Sequence, residues 1–245
     1  FLQNNLFKMN YSTTDFTLGI LGGGQLGKML LQVTSRLSIK TNVLDPSDDS
    51  PCKEMCSEFT KGQLMDFDAV YNFGKKCDVV TYEIEHVNVD ALEKLERNGV
   101  NVYPDSKTLK IIQDKSTQKD FFLKNNIPTA NHKYFKSLKD LENIKYPCVW
   151  KKTKFGYDGY GVKILKSKED FKNLPETEFI IEDLIPFKKE LATTVARNKS
   201  GQIEIFPIVE MMFNETSNQV EYVLCPAQIS PELNERAKKI ALKVS

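Results

Sequence analysis

A chain of 245 residues, 40% hydrophobic and 27% charged, is long enough for one large domain or two smaller ones with their own cores. A net charge of +1 offers no bulk attraction for nucleic acid or an anionic membrane, and no apolar run approaches the roughly 20 residues that span a bilayer. Residues 1–15 lack the apolar core and small-residue cleavage site of a secretory signal, and five scattered cysteines (Cys52, Cys56, Cys77, Cys148 and Cys225) read as reduced thiols of a cytoplasmic protein.

Residues 1–15 form a polar tail in which Met9 could be the natural start. Phe16–Leu21 is a buried-strand run, and Gln25–Ser38 a helix with Leu26, Met29, Leu30 and Val33 on one face. Lys40–Leu44 and Asp78–Tyr82 are further strands. Val89–Asn98 is a helix closed by Gly99, and Val100–Tyr103 is a strand. Strands alternating with helices predict a parallel sheet covered by helices, ending near Pro104.

From Ser106 the texture changes. Ser106–Gln113 and Lys115–Asn125 read as helices, and Pro147–Lys151, Val162–Leu165, Lys168–Asn173 and Glu178–Glu182 as strands and short helices. Glu190–Arg197, Ile203–Glu210 and Gln219–Leu224 read as three long antiparallel strands. Pro231–Ser245 is a helix with Leu233, Ala237, Ile240, Ala241 and Val244 on one stripe. That stripe reaches the last residue without a stop signal, so the chain is expected to continue.

Five segments carry candidate chemistry. Gly22-Gly23-Gly24-Gln25-Leu26-Gly27 fits G-x-G-x-x-G between a strand and a helix, with Asp45 ending the next strand. That context suits a dinucleotide, so an NAD-dependent dehydrogenase is one reading. A substrate phosphate on free N–H groups at the helix start is a second, and a turn that only packs is a third. Thr81-Tyr82-Glu83-Ile84-Glu85-His86 follows a strand, where an open α/β sheet opens its ligand crevice. Glu83 and Glu85 share a face if the strand continues, and with His86 they could take a proton from an amine or orient an anion. Lys115 opens a helix against the dipole preference, which a phosphate between it and the helix end would reverse.

Lys151 to Gly161 (K-K-T-K-F-G-Y-D-G-Y-G) sets three lysines ahead of a glycine-studded loop, the pattern of a flap over a nucleotide or of a basic hairpin turn. Ile180 to Glu190 joins two strands by an extended linker. Its free backbone groups could meet an adenine edge, with a glutamate left for ribose.

In this order, G-G-G-Q-L-G-K-M, T-Y-E-I-E-H-V, D-K-S-T-Q-K, K-x-x-x-x-G-Y-D-G and E-x-x-I-x-F-x-x-E resemble 5-(carboxyamino)imidazole ribonucleotide synthetase, an ATP-grasp ligase of purine biosynthesis. The resemblance runs from Phe16 to the last residue. It implies an α/β fold, with a Rossmann-like parallel-sheet domain over residues 16–105 followed by an ATP-grasp α+β domain over 106–245. The second domain would carry a flap at about 130–185 and a C-terminal lobe at 186–245.

The implied reaction is carboxylation of 5-aminoimidazole ribonucleotide by bicarbonate and ATP through carboxyphosphate. Lys115 and Lys151 would bind the ATP phosphates, and the loop Gly156, Tyr157, Asp158, Gly159, Tyr160, Gly161, Val162 would close over them. Glu182, Asp183, Leu184 and Ile185 would hold adenine through the backbone, and Glu190 the ribose. Tyr157 and Asp158 would also face the ribonucleotide, whose pocket with bicarbonate would be lined by Gly24, Gln25, Leu26, Glu83, Glu85 and His86. Mg2+ ligands are expected beyond Ser245, with none in this chain. A cytoplasmic homodimer is expected. Tyr160, where the family carries arginine or lysine, Phe155 in place of a glycine and Phe213 in place of a histidine depart from the pattern. An inactive nucleotide-binding fragment stands as the non-enzyme alternative.

Overall fold

The computed structural model describes residues 15–141, 143–156, 161–214 and 220–245. The chain divides into two compact units at Gln113/Asp114.

The first unit holds β1 (Thr17–Leu21), α1 (Gln25–Arg36), β2 (Lys40–Asp45), β3 (Glu58–Lys61), α2 (Phe67–Gly74), β4 (Val79–Tyr82), α3 (Val89–Arg97), β5 (Asn101–Val102) and α4 (Ser106–Ile112). Its sheet runs β3-β2-β1-β4-β5 with every pairing parallel. Ile20 lies opposite Val43, and Leu21 opposite Leu44. Because successive side chains point to opposite faces, these pairs feed two cores. Ile20 and Val43 pack with Leu31 and Cys52, while Leu21, Leu44 and Val80 pack with Val70, Phe73, Leu92, Leu95 and Leu109. A strand buried on both faces explains the unbroken apolar run of β1.

Three expectations change here. β3 and α2, with Asp66 capping α2 by accepting from Ala69 N at 2.7 Å, fill the stretch between Leu44 and Asp78, where no element is expected from the sequence. The apolar face of α1 is not the expected one. The helix buries Gly27, Leu31 and Thr34, and Leu30 is half-buried, whereas Leu26, Met29 and Val33 are 59%, 54% and 53% exposed. The cause is Gly27: a Cβ there would lie 2.8 Å from the Gly22 carbonyl oxygen, so the bare glycine face is the one that meets the sheet. Finally, the first unit extends past residue 105, because α4 places Leu109 in its core and Ser106 on Glu96.

The second unit begins with α5 (Lys115–Lys124) and an antiparallel sheet of order β6-β9-β7-β8, formed by β6 (His132–Phe135), β7 (Cys148–Lys152), β8 (Val162–Leu165) and β9 (Phe179–Asp183). Phe135, Trp150, Leu165, Phe171, Phe179 and Ile181 make its core. The Phe135 and Phe179 rings stack at 5.3 Å, with Trp150 tilted against Phe179 at 6.0 Å. Trp150 is 3% exposed, and its indole N–H has no partner among the described residues.

Beyond β9 the expected long strands are broken. Glu190–Arg197 is β10 (Glu190–Ala192) and β11 (Val195–Arg197), and Ile203–Glu210 is β12 (Ile203–Ile205) and β13 (Val209–Phe213). β10, β13 and β14 (Val220–Leu224) form one sheet, and β11 with β12 another. The break has a local cause. Pro207 has no N–H to donate to a ladder, and beside it Thr193 Oγ1 and Phe206 N bond to Phe206 O and Thr194 O instead. α6 (Pro231–Val244), capped by Ser230 on Leu233 N, turns Leu233, Ala237, Ile240 and Ala241 toward Leu191 and Ile208 in an apolar groove, while Val244 is exposed.

Candidate functional site

In the first unit the sheet order changes direction at β1, between β2 and β4, the switch point at which α/β sheets take their ligands. The glycine turn after β1 and Glu83 after β4 meet there. Gly22 has φ +98°, and a Cβ on it would lie 2.7 Å from the Glu83 side chain, so only glycine fits. Gly24 N donates to Glu83 Oε1 at 3.1 Å, and Gly23 N donates to Asp45 Oδ2 at 2.7 Å. Asp45 Oδ1 also accepts from Ser47 N at 2.8 Å. The N–H groups expected to be free for phosphate are thus bonded to two carboxylates. A pyrophosphate would meet like charge in this turn, and Asp45 is engaged by the loop itself, which argues against the NAD reading.

Gln25 and Leu26 are exposed beside this turn. Cys52 lies beneath it with Sγ 3.8 Å from the Gly24 carbonyl, and burial pushes its thiol up to about 11. β4 ends at Tyr82, and residues 83–85 bend, so Glu83 and Glu85 are not alternate positions of one strand. The Glu85-His86-Val87 turn is held from α4's end: Gln113 Nε2 donates to the carbonyls of Glu85 at 2.6 Å and Val87 at 2.7 Å. Sequence reasoning missed Gln113, because a glutamine at a helix end carries no pattern. Glu83, Glu85 and His86 are all half-buried.

In the second unit the structure gathers lysines around one carboxylate. Glu182, near the end of β9 and 6% exposed, accepts from Lys151 Nζ at 2.8 Å through Oε2 and pairs with Lys119 Nζ at 3.1 Å through Oε1. Lys119 also donates to Thr129 Oγ1 at 2.6 Å. The strands explain the meeting, since β7 and β9 pair with Val149 opposite Glu182 and Lys151 opposite Ile180, while His132 stands opposite Glu182 on β6. Lys115 N donates to Thr153 O at 2.9 Å, which ties the start of α5 to the exit of β7, two residues past Lys151. Asp114 caps α5, accepting from Ser116 N and Thr117 N, and pairs with Lys154 at 3.5 Å. Lys154, although 53% exposed, therefore has a partner. Lys119 was missed for a similar reason: a lysine in mid-helix is normally solvent-facing.

Past Asp183 the chain leaves the sheet, so the peptide groups of Leu184 and Ile185 lie outside the ladder. Glu190 opens β10 on another sheet, opposite Met211. Gly156 and Gly161 bracket the glycine loop, with Gly161 at φ +82° and its carbonyl accepting from Lys152 N, and Val162 starts β8 opposite Lys151. Tyr157, Asp158, Gly159 and Tyr160 lie outside the described residues. Phe155 is 57% exposed at φ +58°, and Phe213 ends β13 at a register shift. The residues present suit a nucleotide: the Lys151 amine near the backbone junction that holds Lys115, and a strand end with unladdered peptide groups. Among the described residues no group of three or more His, Cys, Asp or Glu side chains could hold a metal ion.

Residues 16–113 match the ribonucleotide synthetase preATP-grasp domain and residues 120–245 the ATP-grasp domain. The phosphoribosylaminoimidazole carboxylase of Candida glabrata is 35% identical over 238 residues, covering 92% of this chain and 41% of the relative. The N5-carboxyaminoimidazole ribonucleotide synthase of Staphylococcus aureus is 34% identical over 250 residues, covering 95% and 64%. A crystal structure of N5-carboxyaminoimidazole synthase from Aspergillus clavatus, in complex with ADP and 5-aminoimidazole ribonucleotide, superposes with a TM-score of 0.81 at 31% identity, covering 96% of this chain and 62% of that one. The chain thus spans from about two-fifths to just under two-thirds of these relatives. With the ATP-grasp domain matched over more than half of its residues and a ribonucleotide synthetase preATP-grasp domain matched ahead of it, the chain belongs to the ATP-grasp family.

Proposed function

We propose that the protein carboxylates 5-aminoimidazole ribonucleotide with bicarbonate at the expense of ATP, as a ligase of purine biosynthesis. The observation that carries this reading is the lysine corner of the second unit, Lys115 and Lys151 at the meeting of α5 and β7, beside the strand end Asp183–Ile185. It lies in a chain matched throughout to proteins named for this chemistry, one of which binds ADP and 5-aminoimidazole ribonucleotide.

A bicarbonate oxygen attacks the γ-phosphorus, ADP leaves, and the exocyclic amine then attacks the carboxyl carbon as phosphate departs and the amine loses a proton. The lysines of the second unit offset charge on the transferred phosphoryl group. Glu182, Asp183, Leu184 and Ile185 hold adenine through the backbone, Glu190 takes the ribose, and Tyr157 and Asp158 belong to the covering loop. Gly24, Gln25, Leu26, Glu83, Glu85 and His86 serve the ribonucleotide and bicarbonate, with Glu83 or His86 receiving the amine proton. Mg2+ is part of the reading as a companion of ATP, with no residue of this chain assigned to it. So are a homodimer, for which the exposed Met29 and Val33 of α1 supply an apolar face, and a cytoplasmic site, in keeping with five free thiols.

The test is ADP release by the full-length protein. It should require both 5-aminoimidazole ribonucleotide and bicarbonate. ADP release that ignores the ribonucleotide would overturn the proposal.

A further inference from the structure

Lys119 is 8% exposed, and none of the roles above uses it. Burying an amine is costly unless it is paired and hydrogen-bonded. Here it is both, to Glu182 Oε1 at 3.1 Å and Thr129 Oγ1 at 2.6 Å. Glu182 already has a cation in Lys151, at 2.8 Å. One buried carboxylate therefore serves two amines, and the three groups together carry one net positive charge. The two amines differ in access: the Lys119 side chain is 10% exposed and that of Lys151 28%. Lys151 is the member that an incoming anion meets.

An amine held at 2.8 Å by a buried carboxylate is aimed, but it is also restrained. If Lys151 turned from Glu182 to a phosphate oxygen and Glu182 had no other partner, a buried carboxylate would be left uncompensated, and nucleotide binding would bear that cost. We propose that Lys119 is a positioning residue for Lys151: it stays on Glu182 as the second cation, so that Lys151 is aimed by the carboxylate yet free to engage the ATP phosphates. This rests on the reading that Lys151 meets ATP, and it assigns to the Glu182 side chain a part separate from the backbone contacts at 182–185.

The experiment is a charge-compensation cycle on the full-length protein, with ATP dissociation constants from calorimetry and melting temperatures alongside. Lys119→Met should raise the dissociation constant about tenfold or more, although Lys119 does not reach the nucleotide. Lys119→Arg should restore most of the loss. Lys119→Met/Glu182→Gln should also recover affinity to within a few-fold of the wild type, because the carboxylate that needed compensation is gone and the amide oxygen still accepts from Lys151.

A purely structural role for Lys119 would lower the melting temperature without rescue of ATP affinity by Glu182→Gln, and that result overturns the inference. So does unchanged affinity in Lys119→Met. If Lys119→Met does not fold, the double variant decides alone: affinity near the wild type supports the inference, and a loss of tenfold or more refutes it. A protein that binds ATP but leaves the ribonucleotide untouched refutes the proposed function and not this inference, whereas absence of ATP binding by the wild type overturns both.

Discussion

Two lysines three residues apart should differ sharply in their effect on ATP. The Lys151 side chain is 28% exposed with its amine 2.8 Å from the buried Glu182 carboxylate, so it is held in a partly desolvated corner. A phosphate contact from such an amine is charge-assisted and contributes about 1.5–3 kcal/mol. Lys151→Met should therefore raise the ATP dissociation constant by about 10- to 150-fold. The fold should persist, because Glu182 keeps Lys119 at 3.1 Å. The Lys154 side chain is 53% exposed and its partner Asp114 lies at 3.5 Å. A pair so open to solvent contributes about 0–1 kcal/mol after screening, and Asp114 retains its capping bonds to Ser116 and Thr117 without it. Lys154→Met should change ATP affinity by less than about fivefold. The assay is calorimetric titration of ATP into each full-length variant, with melting temperature as the control for folding. Equal losses in the two variants, or a larger loss for Lys154→Met, would refute the assignment of Lys151 to phosphate.

Glu83→Gln and His86→Ala should each lower turnover by about 100-fold or more, as loss of a general acid–base group does, while ATP affinity stays within about twofold; calorimetry showing ATP binding lost and ribonucleotide binding kept would contradict the division of roles. The buried thiols set a pH limit on the first unit: burial pushes Cys52 up to about 11 and Cys77 up to about 12, from 9.0. The unfolded chain releases those protons near 9 while the folded unit holds them, so stability should fall as pH rises from about 9 toward 12; urea midpoints that do not decline between pH 8.5 and 10.5 would count against it.

The first unit's strands were legible because β1 is an apolar run buried on both faces and β2 and β4 each carry an adjacent apolar pair, Val43-Leu44 and Val79-Val80, a signal that survives without an alignment. The face of α1 was not, because periodicity weighs Leu26, Met29 and Val33 by hydrophobicity, while the contact was decided by the side chain Gly27 lacks. β3 and β6 are short edge strands, E-F-T-K and H-K-Y-F, with too few apolar positions to show a period. For the site, the type of residue was legible and the partnership was not. Lys151 stands out in a glycine-rich setting, but the carboxylate that holds it lies 31 residues away and the second amine on another element. Likewise the glycine turn announced a ligand loop, whereas its occupation by Asp45 and Glu83 depends on strand order, which no local pattern encodes.

The position of Trp150 has an optical consequence. It is the only tryptophan in the chain, it is buried against Phe179, and it immediately precedes Lys151 on β7. Emission excited at the red edge of the indole band therefore comes from the second unit alone, blue-shifted by its apolar surroundings. The protein carries its own unit-specific fluorophore: a melt followed by that emission records the loss of the second unit's antiparallel sheet, and one followed by far-ultraviolet circular dichroism records both units. The difference between the two curves isolates the glycine-turn unit without labelling or cutting the chain.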